Sequence, residues 1–243
     1  MPPDLHYQIE KLISKASKKK TVYDYQVKKL IPDIDQDKFK ADQVNKILTY
    51  RGIRVIKKSA THEWVESIVI AFILAMFIRT FFIQAYKIPS GSMRMTLIEG
   101  DRLMVNKLQY GPKVPFTKER IPGYGKWKRG DIIVFVYPED PKKDFIKRLI
   151  ALGGETVEIR DGDIFINNKL VDDPEIKNIF YYNRGDYGKE FRPTKVPKGF
   201  VFVLGDNSGS SHDSRYWGFV PEANIIGHAK FIYWPLNRIR WIQ

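Results

Sequence analysis

Residues 64–86 constrain this chain more than any other stretch. They read Trp-Val-Glu-Ser-Ile-Val-Ile-Ala-Phe-Ile-Leu-Ala-Met-Phe-Ile-Arg-Thr-Phe-Phe-Ile-Gln-Ala-Tyr. As a helix the stretch is about 34 Å long, enough for a hydrocarbon core of roughly 30 Å. Its uncharged part is shorter, Ser67 to Ile78, because Glu66 and Arg79 interrupt it. Arg79 lies toward the far end, where its guanidinium can snorkel to the headgroups. Trp64 and Tyr86 stand at the two ends as interfacial anchors do. The chain that precedes the stretch is far too long for the n-region of a cleavable signal. A buried helix in a soluble core is the competing reading. The expected organisation is a basic cytoplasmic extension over 1–62, one transmembrane helix over 63–86 and an extracytoplasmic domain over 87–243.

Charge sets the orientation and the class of partner. The net charge is +13, which favours an anionic partner, and beside an apolar span the lipid bilayer is a better candidate than nucleic acid. Lys18, Lys19, Lys20, Lys57 and Lys58 precede the span, which predicts an N-terminus inside and the long C-terminal part outside. The extension itself is polar and lysine-rich, with helix-like stretches near 6–19 and 40–50, and is expected to be a solvated extension or a small helical module. With no cysteine there are neither disulfides nor thiol chemistry. The four histidines, His6, His62, His212 and His228, lack metal-ligand spacing, so neither a metal nor a cofactor is expected.

From Ile88 onward the pattern changes to strands. Residues 102–106, 131–136, 156–159, 163–166, 199–204 and 230–234 are short and rich in β-branched or aromatic residues, with Gly, Pro, Asp and Asn between them. The expected fold class is mainly β, an antiparallel domain behind the helix and the extension.

Three places in that domain can carry chemistry. Ser92 sits in the turn-prone Pro89-Ser90-Gly91-Ser92-Met93, but a serine needs a base to become a nucleophile. Lys147 is the second. Alternation in Asp144-Phe145-Ile146-Lys147-Arg148-Leu149 puts Phe145, Lys147 and Leu149 on one strand face. The plainer reading is an edge-strand lysine that guards against aggregation. As a base Lys147 must be neutral, and at a pKa of about 10.4 only about one molecule in 2,500 is so at pH 7. Burial that lowers the pKa by about 3, near 4 kcal/mol, meets the requirement. The third is the polar run Gly205 to Gly218, held between a hydrophobic strand and Tyr-Trp-Gly-Phe-Val-Pro. Asp213 and Arg215 can pair within it, and one of its hydroxyls can orient a neutral amine.

These blocks together resemble the bacterial type I signal peptidases. The resemblance runs through Ile88-Pro89-Ser90-Gly91-Ser92-Met93, Gly100-Asp101, Arg129-Gly130-Asp131, Phe145-Ile146-Lys147-Arg148 and Gly205-Asp206-Asn207 to Ser211, Asp213-Ser214-Arg215-Tyr216-Trp217-Gly218. It covers roughly residues 64–235. It implies a LexA-like β domain in the bacterial inner membrane that removes signal peptides from exported preproteins after small residues. By the resemblance Ser92 is the nucleophile and Lys147 the general base. The Ser90 hydroxyl and the Ser92 N–H form the oxyanion hole, Ser211 orients Lys147, and Asp213 and Arg215 are a supporting ion pair. Tyr86, Ile88, Pro89, Met93, Leu97, Phe145 and Ile146 match positions that bind the substrate. Met95 stands where the family usually has proline, which is expected to loosen the turn after the nucleophile. Ser208-Gly209-Ser210 replaces residues that are often Arg, Asp and Asn, which puts that loop's support in doubt. Two alternatives are a self-cleaving repressor of related serine–lysine chemistry, which the 64–86 span opposes, and an inactive tethered β domain, which needs a broken dyad.

Overall fold

The computed structural model describes residues 3–16, 20–57, 60–114, 117 and 119–242. Two units are present, residues 1–74 and 75–243. In the first, α1 (Pro3–Ala16) is followed by β1 (Thr21–Tyr23), α2 (Asp24–Leu30), a 3-10 turn at Pro32–Asp35, α3 (Lys38–Tyr50) and β2 (Arg54–Ile56). Leu5, Ile9 and Leu12 recur at helical spacing and are buried, as are Val44 and Leu48 on α3, with Val22, Val27 and Ile31 between them. Asp37 caps α3, accepting from the N–H groups of Phe39 and Lys40 at 3.0 and 3.1 Å. The extension is therefore a small helical module with a core of its own. Lys18, Lys19 and Lys58 lie outside the described residues.

The apolar helix is α4 (Ala60–Phe81). Between Trp64 and Phe81 none of it is buried, and by length and composition it can cross a membrane. It ends earlier than the sequence predicts. Ile83–Lys87 forms β3, with Tyr86 opposite Leu103 in the sheet instead of at a helix end. Phe82-Ile-Gln-Ala-Tyr stays rich in apolar residues, which conceals the point where the period changes from helical to alternating. Lys107 closes the helix. Its N–H donates to the Phe82 carbonyl at 2.9 Å, and its ammonium donates to the carbonyls of Arg79 and Thr80 at 2.9 and 3.4 Å.

The second unit is mainly β, as expected. Its strands are β3, β4 (Arg102–Asn106), β5 (Ile132–Val136), β6 (Asp144–Ala151), β7 (Thr156–Arg160), β8 (Asp163–Ile166), β9 (Lys169–Leu170), β10 (Thr194–Lys195), β11 (Phe200–Leu204), β12 (Val220–Pro221), β13 (Ile225–Trp234) and β14 (Arg240–Trp241). Two short helices, α5 (Pro174–Lys177) and α6 (Ser214–Trp217), fall between them. The larger sheet runs β12-β11-β6-β5-β13-β4-β3, with β14 on β13, and the smaller runs β10-β7-β8-β9. Every pairing in both is antiparallel. Both faces of β5 are buried: Ile132 and Val134 join one core cluster, Ile133 and Phe135 another. Such two-sided burial is what an unbroken apolar run like Ile-Ile-Val-Phe-Val requires. The neighbour β6 lies between β5 and β11, in the middle of the sheet, and carries Lys147 and Arg148 side by side.

Candidate active site

Ser92 lies in a 3-10 turn, Gly91–Met93, entered from an extended Ser90. The turn is held from two directions. Met93 is fully buried, and its carbonyl accepts from the N–H groups of Thr96 and Leu97 at 2.8 and 2.7 Å. Asn207 reaches across, its N–H donating to the Ser92 carbonyl at 3.0 Å and its side-chain amide to the Gly91 carbonyl at 2.9 Å. Met95 is exposed, and the turn keeps both bonds to Met93 without a proline there.

Lys147 meets Ser92 from β6. Its Nζ is 2.6 Å from Ser92 Oγ and 3.1 Å from the Ile146 carbonyl, and the lysine is only 4% exposed. Burial pushes its pKa down from 10.5 to about 8; Asp213 and Asp206 resist the fall and Arg215 adds to it. Phe145 and Leu149, its neighbours at two-residue spacing, belong to one apolar cluster, which supplies the dry surroundings. Burial thus acts on Lys147 in the direction a base requires. At a pKa of about 8 roughly one amine in ten is neutral at pH 7, against about one in 2,500 for an ordinary lysine.

Two buried ion pairs brace the dyad. Arg215 and Asp213 are completely buried and form a two-pronged pair, with Nε and Nη2 each donating at 2.8 Å. Arg215 also donates to Ser208 Oγ and to the Ser208 carbonyl, both at 2.8 Å, and the Tyr182 N–H donates to the same hydroxyl. The loop at 208–210 therefore has support, supplied by the buried Ser208. The second pair is one that sequence reasoning missed. Arg148 donates to both oxygens of Asp206 at 2.9 and 2.7 Å, and Thr96 Oγ1 donates to Asp206 Oδ2 at 2.5 Å. An arginine followed by Leu149 and Ile150 inside a buried strand was a signal that a counter-charge had to be found.

Ser211 is brought close but is not engaged. A methyl group on Gly205 would lie 2.1 Å from Ser211 Oγ and 2.5 Å from the Ser92 carbonyl, so the serines are packed across a glycine. The Ser211 hydroxyl is buried with no hydrogen-bond partner, and the bond to Lys147 expected of it is not formed here.

The dyad opens onto a cleft of about 610 Å³ lined by Pro89, Ser90, Ser92, Phe145, Ile146 and Lys147, with Asn207 and His212 among the others. Three of the seven expected substrate-contacting residues, Pro89, Phe145 and Ile146, are on its wall. Ile88, Met93 and Leu97 are not: they are 2%, 0% and 0% exposed, packed with Leu103 and Val134 in the core. Their apolar side chains gain more from the core than from a wetted wall. Tyr86 faces a second cavity, its hydroxyl donating to Asp144 at 3.0 Å. His212 borders the cleft, but the hydrogen bond to the Ser92 hydroxyl comes from Lys147.

A buried serine–lysine pair in an open cleft is a fitting arrangement for peptide-bond hydrolysis, and comparison with known proteins points the same way. A family profile described as "Signal peptidase, peptidase S26" matches residues 61–234. Signal peptidase I T of Bacillus subtilis is 39% identical over 193 residues, covering 76% of this chain and 91% of that protein. A signal peptidase I of Leptolyngbya laminosa is 40% identical over 184 residues, covering 73% of this chain and 81% of that one. A crystal structure of a signal peptidase I from Enterococcus faecalis is 38% identical, with a TM-score of 0.37, over 43% of this chain and 97% of that chain.

Proposed function

The chain belongs to the peptidase S26 family of signal peptidases, and from that premise we propose that it is a membrane-anchored endopeptidase with Ser92 as nucleophile and Lys147 as general base. The observation that carries the assignment is the 2.6 Å contact between Ser92 Oγ and the buried Lys147 Nζ. Neutral Lys147 accepts the Ser92 proton as Oγ attacks the scissile carbonyl, and the resulting ammonium returns it to the leaving amine. The acyl group now on Oγ is released by water, with Lys147 taking the water's proton and returning it to the departing Ser92 Oγ. The Ser92 N–H and the Ser90 hydroxyl, on the same cleft wall, are assigned to the developing oxyanion. A missing donor of this kind costs about 3–4 kcal/mol in comparable sites.

The substrates are preproteins with small residues before the cut, which rest against the wall formed by Pro89, Phe145 and Ile146. The α4 helix spans the bacterial inner membrane with the lysine-rich module inside and the catalytic unit outside. The cleft is then tethered to the same membrane as the signal peptide. The test is cleavage of a preprotein in detergent by wild type, Ser92→Ala and Lys147→Met. Both variants are expected to be inactive, and full activity in either one sinks the dyad.

A further inference from the structure

A cavity apart from the nucleophile lies at the carboxyl end of α4. It measures about 350 Å³ and is bordered by Arg79, Lys107 and Lys113, with Asp144 as the one carboxylate among its described lining residues. The Tyr86 hydroxyl donates to that carboxylate and spreads part of its charge. Arg79 and Lys107 crowd one another. Burial lowers the pKa of Lys107 and Arg79 lowers it further; burial, with Arg120, does the same to Lys113. The Lys107 ammonium is fixed by the helix-end carbonyls of Arg79 and Thr80. One border is apolar: Met76 lines the cavity and is 46% exposed, beside the half-exposed Phe77 on α4. An occupant that satisfies both ends has an anionic head and a hydrocarbon tail.

We propose that this cavity binds the phosphate-bearing headgroup of an anionic phospholipid, whose acyl chains lie along Met76 and Phe77 of α4. The proposal rests on α4 spanning the bilayer. Its chemistry is that of a phosphate ester drawn to two or three cations against one carboxylate. Asp144 borders both this cavity and the catalytic cleft, so a bound headgroup holds the cleft at headgroup depth.

The test uses the full chain in nanodiscs of phosphatidylcholine with and without phosphatidylglycerol. Native mass spectrometry in mild detergent then counts the lipid each chain retains. Wild type is expected to retain phosphatidylglycerol over phosphatidylcholine. Arg79→Gln combined with Lys113→Gln lowers that preference about thirtyfold, the worth of two basic side chains near an anionic surface. Lys107 is left in place because it closes α4. Equal retention of the two lipids by wild type, or an undiminished preference in the variant, overturns the site. Glycerol phosphate alone, raising the melting midpoint in detergent as much as phosphatidylglycerol does, overturns the lipid as its occupant. Flotation with pure phosphatidylcholine vesicles separates the two readings. A chain that floats but shows no preference sinks the site alone, whereas one that does not float sinks the anchor and the site together.

Discussion

Replacing Lys147 by methionine is expected to make the protein more stable at neutral pH and less stable near pH 10.5. The reason lies in the two pKa values of one lysine, 10.5 in the unfolded chain and about 8 in the folded one. Between them the unfolded state carries a proton that the folded state does not, so stability rises with pH across that window. Below about pH 8 both states are protonated, and the folded protein bears the whole cost of a buried ammonium, about 3 kcal/mol at 1.36 kcal/mol per pKa unit. Lys147→Met removes the titrating group and keeps an apolar stem of similar length. It also forfeits the bonds to Ser92 Oγ and the Ile146 carbonyl, at about 0.5–1.5 kcal/mol each. Wild type is thus expected to be about 1 kcal/mol less stable than the variant at pH 7 and about 2 kcal/mol more stable once the lysine is neutral in both states. Urea denaturation in detergent, followed by tryptophan fluorescence over this pH range, measures the difference directly. The catalytic counterpart is a kcat/KM that rises about tenfold from pH 7 to a plateau above the folded pKa. A stability difference that stays flat from pH 7 to 10.5 means that Lys147 keeps an ordinary pKa, and the general-base assignment falls with it.

Two substitutions probe the scaffold around the dyad. Gly205→Ala forces a methyl group against Ser211 and the Ser92 carbonyl; a displacement of about 1 Å in the turn of Ser92, the proposed nucleophile, is expected to lower preprotein cleavage about a hundredfold, and near-normal kcat would show that the turn yields without harm. Asp206→Asn leaves the Arg148 guanidinium buried without a counter-charge, so denaturation should show a loss of about 3–5 kcal/mol; adding Arg148→Met should recover part of it, and a single variant as stable as wild type would mean that the pair is not what holds β6 to the 206 loop.

How much of this was legible beforehand depended on whether a residue's partner lay in its own pattern. The longer strands of the second unit announce themselves by β-branched and aromatic runs between turn residues, and alternation along β6 placed Lys147 on an apolar face. Ser92, Lys147, Asp213 and Arg215 could be singled out because small polar residues and a lysine stand out against such strands. Arg148 was harder. Its partner Asp206 lies 58 residues on, in a Gly-Asp-Asn segment with the composition of a loop, and nothing local links the two. Ile88, Met93 and Leu97 show the opposite limit: apolar residues near a nucleophile fit a pocket wall and a core equally well, and only tertiary packing separates those roles. In the first unit the lysines mask the spacing of Leu5, Ile9 and Leu12, which was enough to show that a helix there had something to pack against.

The adjacent positions of Lys147 and Arg148 have a consequence for how this gene can change. Their side chains leave β6 on opposite faces, one to Ser92 and one to Asp206. The antiparallel pairing with β5, Ile133 opposite Lys147 and Ile132 opposite Arg148, is set by the connection over 137–143. One residue gained or lost there, if taken up as a slip of β6, exchanges the two faces. Slipped one way, Arg148 takes the register of Lys147 and a guanidinium that cannot shed its proton confronts the serine; slipped the other way, Lys147 takes the register of Arg148 beside Asp206 and Ile146 faces the serine. Ser92, Lys147 and Arg148 would all still be present, the strand would still be buried, and on the proposed mechanism the enzyme would be silent. Deletions and insertions in that connection therefore test chain parity as much as loop length.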